Sequence, residues 1–326
     1  MGPSTSDLAP ILVSVYNRPS HLARCIESLK INGQAQNSKL FIVSDGPSRP
    51  ADEPEVEEVR RIASAVQGFQ EVHLIAREQN LGFFKSITQA QDFILDQFGK
   101  IIFLEDDIEV SPSFLEFINT ALIKYQANPS IYSISGYCPP SACLPPGAPP
   151  SVFPGPFFCP WGFGTWRDRQ HRISRTRNVY REVLADKPLK MHMMKHCPMM
   201  LEVLRRDYFK DLSTIDVRIS CQMLLSRMVT IYPSLSLTRN LGFDGSGERM
   251  RPNRDMANQA LGADFKVASW ELIPDESFAL KIMEHGTSID FSELFSLLYR
   301  LNLRDAVDPL LDLTRRLVGQ FVRRKH

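Results

Sequence analysis

Residues 100–110 read KIIFLEDDIEV, an apolar run that stops in three consecutive acids, Glu105, Asp106 and Asp107. Ile101, Ile102, Phe103 and Leu104 are continuous rather than alternating, the pattern of a strand covered on both faces of a parallel or mixed sheet. Such a strand delivers its last residues to the carboxyl edge, where open α/β sheets bind ligands. Three acids gathered there raise one another's pKa values unless a cation or strong donors offset the charge. Carboxylate oxygens suit Mg²⁺ or Mn²⁺, and a site with few protein ligands completes its shell with substrate phosphates. The competing use of the acids is to cap a helix starting near Ser111 and Pro112. Glu109 and Ser111 can do that without the triplet.

Outward from this strand, residues 11–119 alternate short apolar runs with longer amphipathic ones. The runs are ILVSVY, LFIVS, EVHLIA and IIFLE, with helical patterns at about 19–31, 55–66 and 83–97 between them. This β-α-β-α-β-α-β order predicts a parallel sheet with helices on both faces. Right-handed crossovers place all four carboxyl ends on one edge. Asn17 and Arg18, Asp45 and Gly46, Arg77 and Asn80, and the acid triplet therefore converge.

After a strand-like IYSISG (131–136) comes a loop dense in Pro, Gly and Ser that runs to residue 160, too long for a simple connector. It closes on PFFCPWGFGTW, where Trp161, Phe163 and Trp166 are interleaved with Gly162 and Gly164. Aromatic faces beside exposed backbone suit a sugar ring or an apolar cofactor fragment, and an aromatic core plug is the alternative. Helical patterns resume from about 198 to 228, followed by a strand VTIYP and by SLTRNLGFDGSGERMR. There Gly242, Gly245 and Gly247 surround Asp244, which reads as a mobile loop near a binding site. No GK[ST] follows, so it is not a P-loop.

The chain has 326 residues, 43% hydrophobic and 23% charged, with 38 basic against 37 acidic side chains. That is soluble-globular composition, and its charge gives no case for nucleic acid as a partner. Six scattered cysteines without a CxxC pair point to a reducing compartment, and Cys138, Cys143 and Cys159 lack a fourth well-spaced zinc ligand. No stretch approaches a membrane span and no signal-peptide core is present, so a cytoplasmic location is expected. The opening MGPSTS fits a short myristoylation pattern. The segment from Asp308 onward carries helically spaced apolar residues and a cluster of Arg315, Arg316, Arg323, Arg324 and Lys325. It reads either as a peripheral membrane contact or as an ordinary C-terminal helix.

ILVSVYNRPSHLARCIESL, IVSDG, NLGFFKSITQA, FLEDDIEVSPSFLEF and WGFGTW, in this order over residues 9–250, resemble the GT-A-fold, nucleotide-sugar-dependent glycosyltransferases. Within them the likeness is to the N-acetylglucosaminyltransferase I branch and bacterial family 2-type sugar transferases. The resemblance implies a Rossmann-like α/β fold: a mixed, mostly parallel sheet flanked by helices, with a helical C-terminal extension. It divides the chain into a glycosyltransferase domain at 1–256, with a nucleotide-binding half at about 9–136 and an acceptor half at about 137–256, and an extension at 257–326. It also implies Mn²⁺ or Mg²⁺, a UDP-sugar donor, and a glycan, lipid-linked or protein acceptor. Residue by residue, Asp107 falls on the metal ligand, Asp106 faces the ribose or a metal-bound water, and Glu105 lies near the donor sugar. Arg18 takes the place of a basic residue near the nucleotide, and Asp45 that of the acid that binds uracil. Arg77 stands where the animal enzymes have a histidine.

An inverting transfer also needs a base for the acceptor hydroxyl. The resemblance puts Asp216 in that role, although Ile215 replaces the tryptophan usual just before it; Asp207 and Asp211 are competing candidates. GFDGSG resembles the segment that closes over the donor, with Gly242 and Gly245 as hinges. Two other readings stay open. One is a GT-A-like binding or scaffold module without turnover. The other is an NDP-sugar nucleotidyltransferase, against which stands VYNRPS in place of a GxGxR-type loop.

Overall fold

The computed structural model describes residues 7–140, 142–144, 150–174, 176–196, 198–210, 214–245, 254–262, 265 and 271–272. The four apolar runs are strands: β1 (Ile11–Val15), β2 (Lys39–Ser44), β3 (Glu71–Ala76) and β4 (Lys100–Glu105). Between them lie α1 (Pro19–Lys30), α2 (Glu53–Ser64) and α3 (Phe83–Phe98). Proline at the first turn of α1 and α2 fixes φ where no helical N–H is needed. Gly99, at φ +75, ends α3 in the left-handed conformation that glycine adopts without strain.

All four strands are parallel, in the spatial order β3-β2-β1-β4. The chain winds outward from β1 in one direction and returns to β4 in the other. This opens a crevice between the carboxyl ends of β1 and β4, the place where such sheets take ligands. β1 is buried along its whole length, and the four central apolar residues of β4 are buried as well. β3 is the half-exposed edge.

Beyond β4 the sheet becomes mixed. A short β5 (Ile108–Val110) leads into α4 (Phe114–Tyr125), and β6 (Ile131–Ser135), β7 (Ser151–Gly155) and β8 (Phe163–Trp166) follow. β8 lies antiparallel between β4 and β6. After a one-turn α5 (Arg167–Gln170) come α6 (Asn178–Ala185), α7 (Lys187–His196), α8 (Pro198–Lys210) and α9 (Ile215–Ser226). β9 (Val229–Pro233) inserts between β6 and β7, and β10 (Thr238–Asn240) pairs with β5 as a separate two-stranded ribbon. A short α10 (Arg254–Ala257) and β11 (Glu271–Leu272), which pairs with β7, complete the described elements.

The result is a nine-stranded, mostly parallel sheet flanked by helices, the GT-A-type α/β class expected from the sequence. One core face packs α1, α2 and α4 against the sheet, and the other packs α3 and α9. The first pattern of helices was expected to resume near 198, but α6 and α7 precede it. Residues past 256 reach back onto this body: Phe265 meets Phe117 edge-on, with ring centroids 5.2 Å apart. The basic segment from Asp308 and the amphipathic stretch at 291–301 lie outside the described residues. Among the described residues, no helix is long and apolar enough to cross a membrane.

Candidate active site

β4 ends at Glu105, and Asp106 and Asp107 form the turn into β5. The acids therefore sit in a strand-to-strand turn at the β1/β4 crevice. α4 begins only at Phe114, so the triplet does not cap it. Arg18, the residue before α1, reaches across the crevice. Its Nε donates to Asp106 Oδ2 at 3.1 Å, its Nη2 to Asp106 Oδ1, and its Nη1 lies 3.0 Å from Asp107 Oδ2.

Asp107 is boxed in from the far side. The Leu241 N–H donates to its backbone carbonyl at 2.8 Å. A Cβ added at Gly242 would stand 2.5 Å from Asp107 Oδ2, so glycine is required for close approach. Asn240 Oδ1 accepts from Gly242 N at 2.7 Å, and β10 holds this segment against β5. Leu241, Gly242 and Phe243 are all buried. The expectation of a mobile GFDGSG loop hinged at Gly242 is thus corrected for its first half, which is a pinned wall of the site. Asp244 pairs with His21 across 3.3 Å and Gly245 turns the chain at φ +95; residues 246–253 lie outside the described residues.

Burial dominates the electrostatics of the turn. It lifts Glu105, with the added repulsion of Asp107 and Asp106, up to about 8, and only Arg18 opposes. Asp106 is raised to about 7 by burial against the pull of Arg18. Arg18 loses from burial, its largest single influence, but the two aspartates more than reverse this and hold it protonated. Asp216 adds to the negative field at Glu105 and at the half-buried Cys159. The first turn of α9 therefore faces the acid turn, although the two are far apart in sequence.

Two of the three candidate bases are placed. Asp216 is half-buried on that first turn. Asp207 is fully buried and already committed: Arg218 Nε and Nη2 donate to it at 3.1 Å each, Tyr180 Oη at 2.6 Å and Thr214 Oγ1 at 2.7 Å. A carboxylate that accepts four such bonds has no room for an acceptor hydroxyl. Asp211 lies outside the described residues.

On the β1/β2/β3 side, Asp45 Oδ1 accepts from the backbone N–H groups of Gly46 and Leu81, both at 3.0 Å. Asn80 Nδ2 donates to the Gly46 carbonyl at 2.7 Å. Gly46 packs so tightly on the next loop that an added Cβ would lie 2.4 Å from the Gln79 carbonyl carbon. Arg60 of α2 stitches the strand ends together, with Nη2 donating to the Arg77 carbonyl at 2.6 Å and to the Asp45 carbonyl at 3.3 Å. Arg77 Nη2 reaches the Ser86 carbonyl at 3.4 Å, while its buried Nε has no hydrogen-bond partner. Arg60 and Asn240 are the structural partners that the sequence did not reveal. Each sits among other polar residues, Arg60 in EEVRR and Asn240 in TRN, so nothing in the sequence singles it out.

The aromatic segment divides. Trp161 stays at the site, edge-on to Tyr137 at 4.7 Å and to Phe243 at 5.6 Å. Phe163 and Trp166 do not form a sugar platform. They lie on opposite faces of β8 and are only 3% and 2% exposed, Phe163 against Phe103 and Phe158, and Trp166 donating its indole N–H to the Leu122 carbonyl at 3.1 Å. Gly162, at φ +80, lets the chain enter β8 beside Thr238. For these two aromatics the core-plug reading holds.

Among the described residues no group of three or more His, Cys, Asp or Glu side chains is gathered as a metal cage. What the turn offers is two carboxylates that converge on the Arg18 guanidinium, with Asp107 Oδ1 left buried and lacking any hydrogen-bond partner. Such a donor set fits a hard divalent ion that takes its other ligands from water and phosphate.

Residues 11–138 match the family model Glycosyl transferase family 2. The match spans β1 to the end of β6 and so covers the crevice, the acid turn and the Asp45 cradle, but not α9. No curated protein matches the chain. Among solved structures, the chain resembles the mannosyltransferase PcManGT from Pyrobaculum calidifontis, a complex with GDP-Man and Mn²⁺. The identity is 10% over 67% of this chain and 73% of that one, with a TM-score of 0.37. It also resembles TarS of S. aureus at 15% identity and a TM-score of 0.32, over 58% of this chain and 33% of that chain.

Proposed function

We propose that this protein is a divalent-metal-dependent, inverting glycosyltransferase. It moves a sugar, N-acetylglucosamine or another hexose, from a UDP-sugar to a glycan, lipid-linked or protein acceptor. The observation that carries this reading is the buried, unpartnered Oδ1 of Asp107 in an acid turn at the β1/β4 crevice, within the stretch that matches family 2.

Asp107, with Asp106 beside it, would hold Mn²⁺ or Mg²⁺, which when bound supplies positive charge to the departing diphosphate. Asp45, its Oδ1 fixed by two backbone N–H groups, is preorganised to accept the imino N–H of uracil. Arg77 flanks that cradle through Ser86 at the start of α3. Trp161 offers an apolar face to the sugar or the acceptor. Asp216 takes the proton of the acceptor hydroxyl. For that it must stay ionised while partly desolvated, which its half-buried place on the first turn of α9 favours. Glu105, at the end of β4 beside the two aspartates, lies next to the donor sugar.

The test is direct binding. Purified protein with Mn²⁺ is expected to bind UDP and to gain thermal stability on doing so, and Asp107→Ala to abolish the metal-dependent part without unfolding the chain. Release of UDP from a UDP-sugar should need Asp216 as well. A protein that binds UDP and Mn²⁺ but turns over no UDP-, GDP-, CMP- or dTDP-sugar would instead be a scaffold. Failure of Mn²⁺ and every nucleotide to bind would end the enzyme reading.

A further inference from the structure

The acid turn is not left open. Arg18 bridges both aspartates with three of its nitrogens, pairing twice with Asp106 and once with Asp107 Oδ2 at 3.0 Å. The side chains of Asp106 and Asp107 are nearly inaccessible, whereas that of Arg18 is 24% exposed and lies on the crevice side of the pair. A guanidinium is always protonated and matches carboxylate geometry, so this one already supplies the charge that the turn requires. A divalent ion joining Asp107 would stand beside it, and two cations at contact distance in a partly buried site repel strongly. Asp107 is the less mobile partner, because Leu241 N holds its backbone carbonyl and the Gly242 backbone packs beside its carboxylate. The group free to leave is Arg18, on its flexible stem at the N-terminus of α1.

We propose that Arg18 is the resident counter-cation of the acid turn, displaced from Asp107 when metal binds and then received by the diphosphate of the nucleotide. This inference rests on the metal-and-nucleotide reading above and adds to it an order and a coupling. A metal taking the free Oδ1 of Asp107 competes with the guanidinium on Oδ2 of the same carboxylate, so metal alone binds weakly. A diphosphate offers the displaced guanidinium bidentate anionic oxygens. Metal and nucleotide therefore reinforce each other, and by linkage each tightens the other by the same factor. The pair also keeps the free site from presenting a bare carboxylate turn to solution.

The experiment is a titration of the full chain with Mn²⁺, followed by calorimetry or by loss of the free-ion electron paramagnetic signal, without and with saturating UDP and, separately, GDP. The wild type is expected to bind Mn²⁺ alone weakly, with UDP tightening it about tenfold or more. Arg18→Gln should bind Mn²⁺ alone about fivefold or more tighter than the wild type and lose most of the enhancement by UDP. Arg18→Lys, a point charge that cannot span both aspartates, should fall between, and it carries the test if the glutamine variant does not fold. Mn²⁺ should also raise the melting temperature of Arg18→Gln more than that of the wild type. The proposal is overturned if Arg18→Gln binds Mn²⁺ no tighter than the wild type, or if its nucleotide enhancement is intact. Those results, with Mn²⁺ and UDP still bound and still lost in Asp107→Ala, sink the displacement alone. Absence of Mn²⁺ binding under all conditions sinks the metal reading and this one with it.

Discussion

Gly242 and Glu105 show how single positions set the properties of the acid turn. Gly242→Ala would drive a methyl group against Asp107 Oδ2, 2.5 Å away in the wild type. The carboxylate must rotate, and misplacing a metal-binding group in this way lowers metal affinity about 10- to 100-fold. We expect Mn²⁺-dependent UDP affinity to fall by that factor in calorimetry while the melting temperature changes little. Glu105 makes a prediction about pH. In the fold it keeps its proton up to about 8, whereas the unfolded chain sheds it near the ordinary value of 4.5. Between those values the native state holds more protons than the unfolded one, so stability falls as pH rises through the window and returns on acidification. Asp106, raised to about 7, acts in the same sense. Metal-free Glu105→Gln should show a flatter decline of melting temperature from pH 5 to 8.5; an unchanged slope would mean that Glu105 is ionised throughout.

α9 owes its placement to a buried lock. Asp207 of α8 binds Thr214, just before the helix, and Arg218, inside its first turns, so it clamps the helix on both sides of Asp216. Removing one partner leaves a charge buried alone, which costs about 3–5 kcal/mol. Asp207→Asn should therefore lower urea stability by an amount in that range, a structural loss rather than that of a base. Trp166→Ala should cost a similar amount, about 3–5 kcal/mol, because it empties a packed site under α4. These elements also mark where sequence was readable. ILVSVY, LFIVS and IIFLE announce their strands because burial on both faces demands unbroken apolar runs, and EVHLIA, the half-exposed edge, announces its own by its β-branched and apolar residues between polar ones. The acid turn, Arg18 and Asp45 followed from the parallel order alone. β8 did not, since FGTW carries the glycine of a loop. Gly164 is there because a Cβ would strike Ile118 at 2.6 Å, a tertiary demand with no local signature. β7 was hidden by Pro154, which lies past the two residues that β11 pairs. The pinning of 241–244 came from β10 meeting β5, a pairing of three residues each that no periodicity reveals.

For the molecule as a whole, donor binding should register as global stabilisation. With UDP at about 100 times its Kd in the presence of Mn²⁺, the native state gains about 2.7 kcal/mol, and a thermal scan should shift upward in proportion. Asp107→Ala should not shift. The sheet adds a mechanical consequence. β8 is hydrogen-bonded to β4 on one side and to β6 on the other, so the parallel sheet of β1 to β4 and the strands beyond it are a single continuous slab. The two halves cannot swing like jaws without tearing a ladder of backbone bonds out of the middle of the core. Amides of β4, β8 and β6 should accordingly exchange with solvent together, and only on global unfolding. Whatever gating this protein needs must come from side chains and loops at the rim of a plate that does not bend.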